Sequence, residues 1–278
     1  MLVVATAPPV TPAQPPVTPV HPLVTRVRPL ATPVRGLGGF FAMSLDTLVA
    51  AFGSRFATKE FIEQTWFVAR VSAVPGCVMA FAFNVLVAFM FNVLLLEIGA
   101  ADISGAGSAL AVISQTGPIT TTLVLGGAAA TAMCADLGSR TIREEIDAMR
   151  VMGIDPIQRL VVPRVAAIAL NGVLLYTLVC VTCLITGYSF SVFFQEVTPG
   201  SFAASLTLLT GLPDLSIGFV KSLIFGTTAG LIACYKGLNV SGGSQGVGNA
   251  VNETVVFTFM ALFLLSTVLT TIGDAVMK

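Results

Sequence analysis

Chemistry needs polar groups that converge, and in this sequence such groups are few. Cys180 and Cys183 stand at the spacing of a redox or zinc pair, yet they lie in an apolar run with no histidine or further cysteine nearby. Cys77, Cys134 and Cys234 are placed likewise, and all five cysteines read as small packing residues. The single histidine, His21, sits near the N-terminus among prolines, so no metal site and no serine–histidine pair can be assembled around it. The stretch Ser241-Gly242-Gly243-Ser244-Gln245-Gly246-Val247-Gly248 is rich in glycine but follows an apolar helical segment rather than a strand. A flexible cytoplasmic connection is therefore expected there, not a dinucleotide-binding turn. Lys221 and Glu253 are charges within or at the edge of apolar segments, where an ionisable side chain is a functional candidate by default and snorkelling to an interface is the alternative. They belong to opposite ends of neighbouring segments, so they are not expected to pair.

The densest charge lies between Ala135 and Pro156. Thr141 and Glu144 form a capping-box pattern, Gly153 suits a helix stop, and Asp155-Pro156 prevents continuation. A short helix over 140–152 is expected, with Ile142, Ile146, Met149 and Gly153 on one face, and with Arg140–Glu144 and Arg143–Asp147 as i, i+4 pairs. Either it is a solvated connection between two membrane segments, or it docks into a groove on a soluble partner. Composition leaves these two readings open.

The elements that must hold these candidates follow from composition. Of 278 residues, 55% are hydrophobic and 10% charged, against roughly 25% charged in an ordinary soluble domain. Too few charges remain to make a water-facing surface. Crossing the hydrocarbon core takes about 20 largely apolar residues per helix. Charges are absent from 71–96, 103–135, 165–195 and 254–273, and Lys221 alone interrupts 215–235. The fold class is therefore all-α and integral to a membrane, with five spans expected at about 71–96, 116–137, 163–190, 214–236 and 252–274. Fourteen basic residues balance fourteen acidic ones, so overall charge points to no nucleic-acid partner. Placement is more telling. Arg26, Arg28, Arg35, Arg55, Lys59 and Arg70 precede the first span, Arg140, Arg143, Arg150, Arg159 and Arg164 separate the second from the third, and 97–117 and 190–214 hold no Lys or Arg. Because basic loops stay in the cytoplasm, the N-terminus is expected inside and the C-terminus outside, as an odd number of spans requires.

Residues 1–35 carry nine of the fifteen prolines and read as a disordered cytoplasmic tail ahead of a membrane domain over 36–278. From 40 to 67 apolar residues at helical spacing alternate with charges, which suggests an amphipathic helix in the inner interface; Pro75-Gly76 would mark the turn into the first span. The small residues Gly126 to Thr131 of the second span favour close helix packing. Phe81, Phe83, Phe89 and Met90 of the first span are bulky enough to line a path for an apolar solute, and would serve equally well facing lipid.

Several stretches resemble the MlaE/YrbE family of permeases, membrane subunits of ABC transporters that move lipids. They are Thr116-Gly117-Pro118, Ala135-Asp136-Leu137-Gly138, Glu145-Ile146-Asp147-Ala148-Met149-Arg150-Val151-Met152-Gly153-Ile154-Asp155-Pro156 and Val162-Pro163-Arg164. The likeness continues through Val197-Thr198-Pro199-Gly200-Ser201-Phe202, Lys221 to Gly226 and Gly246 to Val251, covering roughly 40–275. Within the family the chain is most similar to the YrbE permeases of actinobacterial Mce systems, of the A type. It departs from many MlaE relatives at Gly127-Ala128-Ala129-Ala130-Thr131, where those have Gly-Arg-x-Gly-Ser.

The resemblance implies the MlaE-like permease fold and makes 140–152 a coupling helix, so that Arg140, Arg143, Glu144, Glu145, Asp147, Met149, Arg150, Met152 and Asp155 would meet a cytoplasmic ABC ATPase. It also implies a heterodimer with a second YrbE-type permease, MCE proteins outside the membrane, and a fatty acid, phospholipid or sterol as substrate. The chain has no Gly-x4-Gly-Lys-Ser/Thr loop, so ATP and Mg are expected on the partner, and the chain is expected to be a permease rather than an enzyme. Lys221 and Glu253 join the phenylalanines as candidates for the substrate path. The alternative is a secondary transporter or channel that works without nucleotide, although the internal repeats and paired broken helices common in such proteins are not evident.

Overall fold

The structure, a computed structural model, describes residues 28–277 apart from 52, 54, 55, 98, 100–102 and 196. Most of the proline-rich tail lies outside the described residues. The chain forms two compact units, Met1–Phe41 and Ala42–Lys278. All regular structure among the described residues is helical. In chain order the helices are α1 (Arg28–Ala51), α2 (Thr58–Glu97), α3 (Ser104–Ala111), α4 (Gly117–Val124), α5 (Ala130–Ile142), α6 (Glu145–Val151), α7 (Val162–Gln195), α8 (Pro199–Ser205), α9 (Leu212–Leu238) and α10 (Gly243–Met277). Three π-turns, Val112–Thr116, Leu125–Ala129 and Ile157–Val161, join α3 to α4, join α4 to α5 and lead into α7.

Five segments are long and apolar enough to cross a membrane: Thr58–Leu95, Ser104–Ile142, Ile157–Phe194, Leu212–Leu238 and Gly243–Gly273. Their number is the five expected, but their bounds differ in ways that have physical causes. The tail expected over 1–35 gives way to helix at Arg28. The single interfacial helix expected over 40–67 is two helices. α1 ends at Ala51 and α2 begins at Thr58, with Gly53, a poor helix former, between them, and the charged turn from Thr58 to Glu63 is the first part of α2. Pro75 lies inside that helix, and beside it Gly76 lets Leu175 of α7 approach so closely that a Cβ would lie 2.7 Å from its Cδ1. The second span begins at Ser104, ahead of Gly117-Pro118. Its polar and small residues Ser104, Gly105, Ser108 and Thr116 are buried, which a membrane segment tolerates when packed on protein. The glycine-rich stretch is mostly helix as well, for α10 starts at Gly243.

Packing follows a simple order. α2 lies along α7, α7 along α9, and α5 and α10 close on α9 and on each other. α2 and α7 run in the same direction, pinned by Asn84 Nδ2 donating to Cys183 O at 2.8 Å, Asn92 Nδ2 to Ser191 Oγ at 2.9 Å and Asn171 Nδ2 to Thr65 O at 3.0 Å. Leu125, Met133, Leu137, Tyr176, Phe225 and Leu262 are fully enclosed at the centre. Backbones also approach closely between α7 and α9. There a Cβ on Gly226 would come within 2.7 Å of Ala169 Cα, and one on Gly172 within 2.6 Å of Ser222 O. Small residues matter in this way where lipid supplies no hydrophobic drive between helices. By contrast α10 turns Val256, Met260, Leu264, Val268 and Ile272 outward.

Candidate functional site

The charged stretch is a hairpin of helices rather than one helix. α5 continues to Ile142, the chain turns at Arg143 and Glu144, and α6 runs only from Glu145 to Val151. Glu144 has φ +60°, a left-handed conformation that side chains with a Cβ rarely adopt. Its carbonyl accepts the first α6 bond, from Ala148 N at 3.0 Å. The capping box expected from Thr141 and Glu144 does not form because Thr141 lies inside α5 and Glu144 N donates to its backbone carbonyl at 3.1 Å. The Thr141 hydroxyl is 2.9 Å from both Leu137 O and Gly237 O, the latter at the end of α9. Gly153, with φ +75°, closes α6 as Ile154 N donates to Met149 O at 2.9 Å. Asp155 Oδ1 accepts Ile157 N at 3.0 Å and starts the next segment.

The ion pairs differ from the expected i, i+4 set for the same reason. With the helix broken at 143–144, Arg140 pairs with Asp136 at 3.5 Å, Arg143 with Glu145 at 3.3 Å, and Arg150 with Asp147 at 2.9 Å. Ile146 is buried and Met149 packs on the core, which holds α6 to the bundle. The outward apolar surface is instead at its far end, where Val151 is 88% and Met152 66% exposed, followed by Ile154. The hairpin thus presents an apolar tip flanked by Glu145, Asp147 and Arg150. Such a surface suits a groove with complementary charge.

Beneath the hairpin lies a group of charges whose association the sequence does not show. Arg164, in the first turn of α7, has no exposed side-chain surface, and its Nη2 lies 2.6 Å from Asp136 Oδ2 and 3.2 Å from Glu60 Oε1. Its signal was present as the one arginine inside an otherwise apolar run after Pro163, but the two acids are 28 and 104 residues away and only the fold brings them to it.

The residues proposed for a substrate path separate into two places and an exposed face. Lys221 is 5% exposed and donates to Thr270 Oγ1 at 3.1 Å. It lines a cavity of about 380 Å³ with Phe91, Asp214 and the π-turn residues Ile113, Ser114 and Gln115, at the end of the bundle opposite α6. Phe81 lines an apolar groove of about 550 Å³ between α2 and α7, with Val85, Ile185 and Phe193. Phe89 meets Phe190 beside it, edge to face, with ring centroids 6.2 Å apart. Phe83 and Met90 point outward from α2. Glu253 joins neither place. It pairs with Lys236 at 2.6 Å, whose ammonium also lies 4.4 Å from the centre of the Phe257 ring. Among the described residues no cluster of His, Cys, Asp or Glu could hold a metal ion.

Residues 61–272 match the family described as Permease MlaE. The chain is 32% identical over 166 residues to a probable ABC transporter permease protein of Synechocystis sp., covering 60% of this chain and 63% of that one. It is 31% identical over 168 residues to the chloroplastic protein trigalactosyldiacylglycerol 1 of Arabidopsis thaliana, covering 58% and 46%. Over 181 residues it is 27% identical to the intermembrane phospholipid transport system permease protein MlaE of Haemophilus influenzae, covering 65% and 69%. The alignment spans less than two thirds of the length of the first two relatives.

Proposed function

The chain belongs to the MlaE permease family, and from that premise we propose that it is the membrane subunit of an ATP-driven transporter for a hydrophobic substrate such as a fatty acid, phospholipid or sterol. The observation that carries the reading is the α5–α6 hairpin, with an exposed apolar tip on a base fixed to three spans. An ATPase on the cytoplasmic side would seat on Val151, Met152 and the charges beside them, and the basic residues that flank the hairpin favour that side. The chain has no phosphate-binding loop of its own. Closure of a nucleotide site has to reach the membrane as displacement of a solid element, and the geometry suits that task. Thr141 ties α5 to the end of α9, α5 packs on α9 and α10, and α9 carries Lys221 into the cavity at the other end.

Lys221 gives that cavity a buried cation among largely apolar walls, a combination that fits the polar end of an amphiphile with its chain in hydrocarbon. A second permease subunit against the outward faces of the spans, and MCE proteins at the end opposite α6, complete the proposed assembly. The chain would lie in the cytoplasmic membrane with its N-terminus inside. The test is purification in mild detergent followed by an ATPase assay of what accompanies the chain. An ATPase is expected to co-purify, and replacing Glu145 and Asp147 together by Lys is expected to leave the permease inserted while removing its effect on ATP hydrolysis. A chain that purifies alone, or a charge-reversed variant that behaves as the unaltered one, defeats the assignment.

A further inference from the structure

We propose that Arg164 is a positioning residue that fixes α6 relative to α2, acting through Asp136 and Glu60. The Arg164–Asp136 contact joins the last turns of α5 to the first turn of α7 across 28 residues, so it closes the base of the segment that contains α6. Glu60, in the first turn of α2, reaches the same Nη2 from the other side and is itself held by Gln64 Nε2 at 3.1 Å. Arg140 adds a second cation to Asp136 from within α5. One guanidinium therefore links three helices that share no sequence neighbourhood.

The manner of its burial argues for position rather than stability. A guanidinium offers five N–H donors in a rigid fork. Both carboxylates meet Nη2, and the buried Nε and Nη1 have no partner among the described residues. A buried ion-pair group with unused donors is weak evidence of stabilisation, because replacing all of its members together by apolar side chains of similar volume commonly serves as well or better. What apolar side chains cannot supply is direction: the 2.6 Å hydrogen bond to Asp136 fixes distance and angle, and the ion pair at 3.2 Å draws Glu60 to the same Nη2. The two acids keep 20% and 32% of their side-chain surface, so both lie at the edge of the bundle where α6 attaches.

The inference rests on α6 being the docking element, and two measurements separate the two ideas. Spin labels at positions 59 and 148, both exposed, report the α2–α6 separation in the full chain in nanodiscs of phosphatidylethanolamine and phosphatidylglycerol. The unaltered chain is expected to give one narrow distance distribution, and Arg164→Lys and Glu60→Gln a broadened or displaced one. Glu60→Gln leaves the Asp136 contact in place, so it decides the matter if Arg164→Lys fails to insert. In the complex with its ATPase, Glu60→Gln is expected to lower the stimulation of ATP hydrolysis by about 5-fold or more, the size of a modest coupling between sites, with the yield of complex unchanged. Distances that stay put while the melting temperature falls would identify a merely structural residue and overturn the proposal. If no ATPase accompanies the unaltered chain, it is the docking reading that fails, and the distances still decide the role of Arg164.

Discussion

Tyr176 shows how much a single polar atom matters in this bundle. Its side chain is fully buried, and the hydroxyl donates to Ile113 O at 3.0 Å, a carbonyl in the π-turn where regular α-helical bonding is interrupted. Tyr176→Phe removes the donor and leaves that carbonyl dependent on weaker contacts, so a loss of about 1 kcal/mol is expected, visible as a lower unfolding midpoint in detergent. An unchanged midpoint would show the bond to be dispensable. Lys221 differs, because its role is proposed to be contact with substrate. Lys221→Met keeps most of the volume and removes the charge, so insertion and assembly should persist while transport of an anionic lipid reporter falls. Equal transport by both forms would take Lys221 out of the path. Of these residues, the sequence marks Lys221 plainly, as a charge in an uncharged run. Arg164 stands out only as a charge at the start of an apolar run, and neither its partners nor that of Tyr176 can be read from spacing, because helix packing fixes them.

Among the elements, α6 is where local pattern and fold disagree most. Thr141 with Glu144 reads as the start of a helix, yet α5 runs through Thr141 and the chain turns at Glu144. The pattern misleads because an N-cap must be non-helical, and Thr141 is still inside α5, its hydroxyl donating back to Leu137 O and across to Gly237 O of α9. Strain at Glu144 gives a clear expectation. Glu144→Val places a β-branched residue at φ +60° and should cost about 1 kcal/mol or more. Glu144→Gly should cost nothing by this route, because glycine adopts that conformation freely. Comparing the two melting midpoints tests the turn, and equal midpoints would mean that α6 re-forms without it. The seven-residue α6 is also too short to hold itself together in water. Ile146 and Met149 hold it to the core, so its stiffness is borrowed from α5 and the first turn of α7.

For the molecule as a whole, the absence of charge reveals the five spans and the pattern of arginines suggests which end faces the cytoplasm. Where each span ends is less visible. Residues 104–116 are uncharged but rich in Ser and Gly, which suits a loop as well as a helix packed on protein, and contact with α8 and α7 decides for helix. The proposed orientation has a direct check. A cysteine at Ala148 should react with an impermeant thiol reagent only from the cytoplasmic side, and one at Ser201 only from the opposite side. The reverse result would put the hairpin out of reach of any ATPase. The π-turns carry a consequence of another kind. Each amounts to one residue inserted into an α-helix, and one residue is about 100° of helical rotation. Deleting a residue from 112–116 would leave hydropathy and the span count untouched, and would let hydrogen bonding run unbroken. It would also swivel Ser104–Ala111 about its axis, carrying Gly105 away from Phe202, against which it fits. In this span, gaining or losing a codon acts as a dial that re-aims one end against the other.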